Sequence, residues 1–537
     1  MKNRFLAAFT ALMLVGSACS NDDLLDINID PNASNEINMS FLLATGIMET
    51  AGSRYENWRA NLIYSSTMIQ HNASLAGYWA GDKYTYNPGY SASQWERYYP
   101  DALETLTHAI TETAGDASMT NLNAMATITR CFALHRLTDL YGAIPYTAAG
   151  RGLEGQEFWF PAYETQEAVY TNLVADIRAA RDAMSASGDA VGAQDVLYAG
   201  DVAQWQKFAN SLLVRIGMRM SGVSVSTAQS VVEEAVGHSA GVITSNADNP
   251  MVTYSGADGL NRNGVSEVYT AGNGGENNNA RPSETFVNWM MAGNDPRLMI
   301  ISGGVGDSQL PAGDATASPA VPAWDTNPAN QRGLPNGYDN DTILPKAVAD
   351  GVIAAGDESN FSRNLYSFLN PLLYDLDDPT FFITHAEVEL ALAEATLNGW
   401  SVGGATAQAH FEAGIRSAIS NWESYDASLT TASGDVDTYI AGLGFAAASA
   451  ADQLRMIGEQ YWAATYFNHI ESYSNWRRTG FPALTPTNYA GNVTGGTIPR
   501  RLRYPEAEIG GNPENYATAV AAQGEDLFTT RLWWDVN

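Results

Sequence analysis

Asp201-Val-Ala-Gln-Trp205-Gln-Lys-Phe208-Ala-Asn-Ser-Leu212-Leu213-Val-Arg215-Ile216-Gly-Met-Arg219-Met220 sets the reading of the whole chain. Val202, Trp205, Phe208, Leu212, Leu213, Ile216 and Met220 recur at three- and four-residue spacing, which gathers them on one face of an α-helix. Asp201 is placed to act as N-cap, taking up amides that the first turn leaves free. Arg215 and Arg219 lie toward the C-terminal end, where cations suit the helix dipole. The same period predicts helices over 93–113, 122–140, 162–184, 226–236, 283–291, 384–397, 406–422 and 447–470. Several form pairs joined by short polar turns, such as 93–113 with 122–140. The expected fold is therefore mostly α, a tetratricopeptide-like scaffold of helical pairs with long irregular loops. Strands do not alternate with helices, which argues against a doubly wound sheet.

The composition supports a packed protein. Of 537 residues 45% are hydrophobic and 16% charged, so the chain has the material for a core and is not a disordered acidic tail. The 59 acidic side chains outnumber the 28 basic ones, for a formal charge of −31, and no basic stripe relieves it; nucleic acid is excluded as a partner. Lys2, Lys83, Lys207 and Lys346 are the only lysines, and arginine, the better residue for fixed hydrogen-bonded pairs, makes up the rest. Two cysteines build no disulfide framework. Between about 240 and 380 the chain becomes rich in Gly, Asn, Asp and Pro, a loop-rich insertion of the kind that carries function.

The N-terminus reads as an address. Lys2 and Arg4 precede an apolar run from Phe5 to Val15, long enough for a signal-peptide core and shorter than the roughly 20 residues that span a bilayer. Gly16, Ser17 and Ala18 lead into Cys19, which resembles a bacterial lipobox although Gly16 replaces the usual leucine. The resemblance implies removal of 1–18 and lipidation of Cys19, palmitate included, at the head of a tether over 19–40; ordinary signal-peptidase cleavage is the alternative. Asp22, Asp23 and Asp26 follow, like the export signal that sends some lipoproteins to the outer face of the outer membrane.

Several motifs stand out along the body. They are Arg136-Leu-Thr-Asp139-Leu-Tyr141-Gly142-Ala-Ile-Pro145-Tyr146, the Trp205–Leu212 segment, and Phe382-Ile-Thr-His-Ala-Glu387-Val-Glu389-Leu-Ala-Leu-Ala-Glu394. The C-terminal set is the most specific: Glu459-Gln-Tyr-Trp462, Asn475-Trp476-Arg477-Arg478-Thr479-Gly480-Phe-Pro482, Ile498-Pro499-Arg500-Arg501-Leu-Arg503-Tyr504-Pro505 and Leu532-Trp533-Trp534-Asp535. Together these motifs resemble the SusD/RagB family of outer-membrane nutrient-binding lipoproteins, and the resemblance implies one SusD-like domain over 41–537, an α/α superhelix exposed at the cell surface. It also implies a partner, a SusC-like TonB-dependent transporter, and a glycan ligand, with a peptide as the RagB-like alternative. Read physically, Arg477, Arg478, Arg500 and Arg501 make internal bonds that fasten the C-terminal loop, and Glu387, Glu389 and Glu394 form a solvated or salt-bridged helix face.

Catalytic readings are weaker. Gly237-His238-Ser239-Ala240-Gly241 spells the nucleophile elbow of esterases, yet a helix precedes it where a strand is required. The histidines His71, His108, His135, His238, His385, His410 and His469 lack zinc-ligand spacing, and no carboxylate pair is singled out for glycoside hydrolysis. Asp375, Asp377 and Asp378 are candidate ligands for a structural calcium ion, without an EF-hand's glycine and distal glutamate, and no cofactor is assigned. Cys131, beside Phe132 and Leu134, is expected as a buried thiol. The chain is thus read as a binding protein and not an enzyme, a surface hydrolase or a ligand-free porin partner being the competing classes.

Sugars are recognised by aromatic faces against ring C–H groups, with carboxylates, amides and arginines on the hydroxyls. Gly77-Tyr78-Trp79-Ala-Gly-Asp82-Lys83-Tyr84-Thr-Tyr86-Asn-Pro-Gly-Tyr90 concentrates such rings between two helices, making Tyr78, Trp79, Tyr84 and Tyr86 the first candidates. Tyr269 with Asn277 of the Asn-rich run 272–279, and Trp324, are the candidates from the insertion.

Overall fold

The computed structural model describes residues 38–270, 276, 279–306 and 325–537. The expected signal peptide, Cys19 and the expected tether as far as position 37 lie outside the described residues. Met39 and Ser40, expected in the tether, already belong to helix α1 (Met39–Ala51), whose N-cap Asn38 accepts from the Ser40 amide. Further helices of the scaffold include α2 (Thr120–Tyr141), α3 (Gln166–Ala183), α4 (Val202–Arg219), α5 (Val225–Gly237), α6 (His385–Leu397), α7 (Ala407–Ser420), α8 (Ala450–Ala464) and α9 (His469–Thr479). Among the described residues strands are short and pair only two at a time, and no helix is long and apolar enough to cross a membrane.

Helix α4 forms as its period requires. Asp201 Oδ1 accepts from the amides of Ala203 and Gln204 at 2.9 and 3.2 Å, and Trp205, Phe208, Leu212, Leu213 and Ile216 are buried. It packs on α5, as α2 packs on α3 and α6 on α7, so the molecule is a tetratricopeptide-like stack of helical pairs. Two pairs approach through glycine: a Cβ on Gly217 of α4 would lie 2.6 Å from Val232 Cγ2 of α5, and one on Gly414 of α7 would lie 2.7 Å from Leu390 Cγ of α6.

Two predicted helices differ for identifiable reasons. The one expected over 93–113 begins at Pro88, behind Asn87 as N-cap, and widens to i→i+5 winding over Tyr98–Leu103, around Pro100, which has no amide to donate. The one expected over 447–470 is broken between α8 and α9. Phe467 turns left-handed there, with φ of 75°, and its carbonyl accepts from Asn61 Nδ2 at 2.9 Å. A partner some four hundred residues away replaces the bond a continuous helix would have made.

Arg215 and Arg219, read from sequence as dipole-stabilising cations at a helix end, are buried in an ionic network. Arg215 donates to Glu387 of α6 at 2.7 Å. Arg219 donates to both carboxylate oxygens of Glu471 of α9, at 2.6 and 2.7 Å, and through Nε to Asp139 of α2 at 3.1 Å. Tyr461 of α8 donates to Glu471 at 2.8 Å, Tyr170 of α3 to Asp139 at 2.5 Å, and Trp534 Nε1 to Asp139 at 3.1 Å. Burial works to raise the pKa of Asp139 and Glu471, but it is outweighed at Asp139 by His135 and Arg219, and at Glu471 by Arg219 and Arg215, so both are lowered. Glu387 moves the other way, raised by burial and by the charge of Glu471 against Arg215.

The three glutamates of α6 are therefore paired. Glu387 is buried, Glu389 sits between His385 Nε2 at 3.1 Å and His410 Nδ1 at 2.7 Å, and Glu394 receives Arg478 at 2.5 and 2.6 Å. The C-terminal arginines fasten the chain end. Arg477 donates to the Arg500 carbonyl at 2.8 Å, Arg500 Nε to Asp535 at 2.6 Å, and Arg501 pairs with Asp526 at 3.1 Å.

Arg219→Met strands Asp139 and Glu471 without their cation and is expected to cost about 3–5 kcal/mol, the scale of breaking a buried pair, read by denaturant unfolding. Carboxylates whose pKa is lowered in the folded state stabilise it above their unfolded pKa, 4.5 for Glu471, and that stability is lost as pH falls through the folded value. Glu471→Gln should accordingly flatten the acid limb of the stability–pH curve; an unchanged limb would refute this role.

Candidate functional site

Strands β1 (Asn72–Ser74) and β2 (Ala280–Pro282) pair antiparallel, with Asn72 opposite Pro282 and Ser74 opposite Ala280. Their pairing sets the aromatic loop that follows β1 beside Glu276 and Asn279, which precede β2. Lys83 holds the loop from within: its buried Nζ donates to the carbonyls of Ser74 at 2.8 Å and Trp79 at 3.2 Å and pairs with Asp82 at 3.1 Å. Asp82 in turn accepts from the Gly337 amide at 3.0 Å. The third wall is the π-wound helix Asn57–Ser66, which supplies Trp58 and Arg59; such wide turns recur at functional sites.

The three walls meet at Glu276. Its carboxylate accepts from Trp58 Nε1 at 3.0 Å, Tyr78 Oη at 2.7 and 2.9 Å, Trp79 Nε1 at 3.1 Å and Asn279 Nδ2 at 3.1 Å. Asn279 also donates to Tyr78 Oη at 2.9 Å and accepts from Arg363 at 2.5 Å. Several charge-assisted bonds on one carboxylate make a rigid junction. Burial, with the bond to Glu276 adding, raises the Tyr78 phenol pKa.

Rings surround this junction. Trp58 meets Tyr78 edge-on at 6.1 Å and Tyr90 at 5.9 Å. The Arg59 guanidinium lies 3.7 Å from the Tyr55 ring centre and 4.9 Å from that of Trp58. Beside them opens a cleft of about 540 Å³, lined by Ser53, Arg54, Tyr55, Trp58, Arg59, Arg97 and Arg262 among others. Half-exposed rings next to fixed hydrogen-bonding groups can hold a sugar or another flat, polar ligand.

The sequence candidates divide. Tyr78 stands at the junction and is 39% exposed. Trp79 is at the junction but enclosed, as are Tyr84 and Tyr269, so none of these three offers a stacking face in this conformation. The Trp79 indole is spent on Glu276, Tyr84 accepts from the Thr487 amide at 3.1 Å, and Tyr269 stacks on Tyr374 at 5.3 Å. Tyr86 is partly buried against Arg503 and Phe528, away from Glu276. Asn277 and Trp324 lie outside the described residues. Sequence reading passed over Trp58, Arg59 and Tyr55, which look like ordinary helix residues; Tyr90 and Glu276 fell inside the candidate stretches 77–90 and 272–279 without being singled out, although Glu276 is the lone acid in an Asn–Gly run.

The remaining motifs resolve simply. Ser239 follows α5 directly, helix before serine, the reverse of the strand–serine–helix order of an elbow. Asp378 accepts from the Asp375 amide at 2.7 Å and is raised to about 7 by burial; no metal-binding group of His, Cys, Asp or Glu occurs among the described residues. Cys131 is buried, its thiol pushed up to about 12 by that burial.

Glu276→Ala leaves three buried or half-buried donors without an acceptor. It should speed amide exchange across 75–84 and cost about 1–3 kcal/mol in unfolding free energy; unaltered exchange there would show that the carboxylate does not hold the loop.

Comparison with known proteins places these features in context. A SusD-like family model, described as starch-binding and associating with the outer membrane, matches residues 31–505. The solved structure of a chitin-binding protein is 29% identical, with a TM-score of 0.78 over 93% of this chain and 100% of that one. A structure named Bacteroidetes AC2a SusD-like is 25% identical, with a TM-score of 0.78 over 93% and 100%. A chitin-binding SusD homologue from Flavobacterium johnsoniae shares the fold at 23% identity, with a TM-score of 0.73 over 93% and 99%. No curated protein matches the chain.

Proposed function

We propose, because this chain belongs to the SusD-like family, that it binds a carbohydrate at the outer-membrane surface and passes it to a TonB-dependent, SusC-like transporter. One observation carries the binding reading. Tyr78 is 39% exposed although its hydroxyl is tied to Glu276 and Asn279, so an open ring is held still before any ligand arrives. A ring fixed in this way loses little freedom on binding, and Trp58 and Tyr90 extend the surface. The proteins of similar structure that are described as chitin-binding favour a glycan over a peptide. Binding proceeds by stacking and hydrogen bonding, with no covalent step. The family's described association with the outer membrane and the lipobox at Cys19 support a lipid-anchored protein on the cell surface.

Calorimetry of the chain begun after Cys19, against neutral and acidic polysaccharides and peptides, tests the ligand class. A glycan should bind, and Tyr78→Ala and Trp58→Ala should each weaken it by about 1–3 kcal/mol, the scale of an aromatic anchor. Binding of peptides alone would overturn the reading. In cells, radiolabelled palmitate should enter the wild type and not Cys19→Ser; label retained in the variant would dismiss the anchor.

A further inference from the structure

We infer that the glycan bound at this cleft carries an anionic group, a carboxylate or a sulfate ester on the sugar, received by Arg54 and Arg59; this rests on the glycan reading above. In a chain with 59 acidic and 28 basic side chains, an arginine finds a carboxylate easily. The cleft's own Arg97 and Arg262 do so, at 3.1 Å from Asp101 and 2.5 Å from Asp258. Arg54 and Arg59 form no ion pair among the described residues. Rings hold them instead: Arg59 lies over Tyr55 and donates to the Tyr55 carbonyl at 3.0 Å, and Arg54 lies 5.3 Å from the centre of the Trp58 indole. The Arg54 Nε is buried with no hydrogen-bond partner among the described residues.

A guanidinium positioned by aromatic contact keeps its in-plane N–H groups for a ligand, and their fork matches the oxygens of a carboxylate or sulfate. Of the four arginines that line the cleft, Arg97 and Arg262 are neutralised by Asp101 and Asp258, which leaves Arg54 and Arg59 as the cations open to a ligand. Two fixed cations side by side can hold an anionic group that the overall field would repel. Two neighbouring cations left without counter-charges are the features an anionic ligand would complete.

The test compares acidic glycans with their uncharged counterparts by calorimetry: oligogalacturonate and alginate oligosaccharides, the methyl ester of each, a sulfated galactan with its desulfated form, and a glutamate-rich peptide. The wild type should bind at least one acidic member roughly tenfold or more tighter than its uncharged counterpart, the scale of hydrogen bonds to a charged group. Arg54→Gln with Arg59→Gln should erase that preference, and Arg59→Lys, which keeps the charge, should retain part of it and report on folding. Carboxylate or sulfate pairs showing the preference identify which anion is read. Equal binding of charged and uncharged members, or binding of neutral glycans alone, overturns this inference and leaves the glycan reading standing. No glycan bound at all, or only the acidic peptide, overturns both.

Discussion

The contact of Arg219 with Glu471 and Asp139 is the constraint on which the rest of the structure leans. Three carboxylates and two guanidiniums share a buried interior, where each charge is tolerable only while its partners stay in place. Helices α2, α4, α6 and α9 are thereby fixed to one another at hydrogen-bond precision, which apolar packing alone does not supply. The aromatic C-terminus joins the same point through Trp534, whose indole donates to Asp139 and lies beside both Arg219 and Arg477.

From α9 the constraint reaches the cleft beside Trp58 by two short links. His469, its first residue, meets His71 at 2.9 Å between their Nδ1 atoms, and His71 Nε2 lies 2.9 Å from the Trp462 carbonyl. Burial holds both His71 and His469 well below the ordinary histidine pKa, so the pair stays neutral and hydrogen-bonded beside β1. The second link is Asn61, which caps the broken turn at Phe467 while belonging to the π-wound helix that carries Trp58 and Arg59. The helical scaffold and the cleft are thus parts of one bonded system, and the left-handed Phe467 is the local departure from regular structure at which they join.

The charge distribution follows the same division. Most arginines near carboxylates are consumed in holding the fold, those of the C-terminal loop among them. The acidic excess is left to the surface, while the cleft beside Trp58 keeps cations backed by rings.

Much of the scaffold was legible in the sequence, because a helix writes its buried face into three- and four-residue spacing and its start into a cap. The Asp201 cap, the apolar face of α4 and the helical pairing are all local consequences of residue order, and the family motifs reported the same fold. What sequence order could not settle was which side chains meet across hundreds of positions. Trp79 and Tyr84 look identical in kind to Tyr78 along the chain, yet only tertiary packing assigns an indole to a buried carboxylate and leaves one phenol ring open. Glu276 is joined to Trp58 across 218 positions, and a well-formed helical period breaks at Phe467, whose carbonyl is taken up by Asn61. Periodicity is local and so can be read from a string of residues; burial, pairing and exposure are properties of the folded interior, where distance in space replaces distance along the chain.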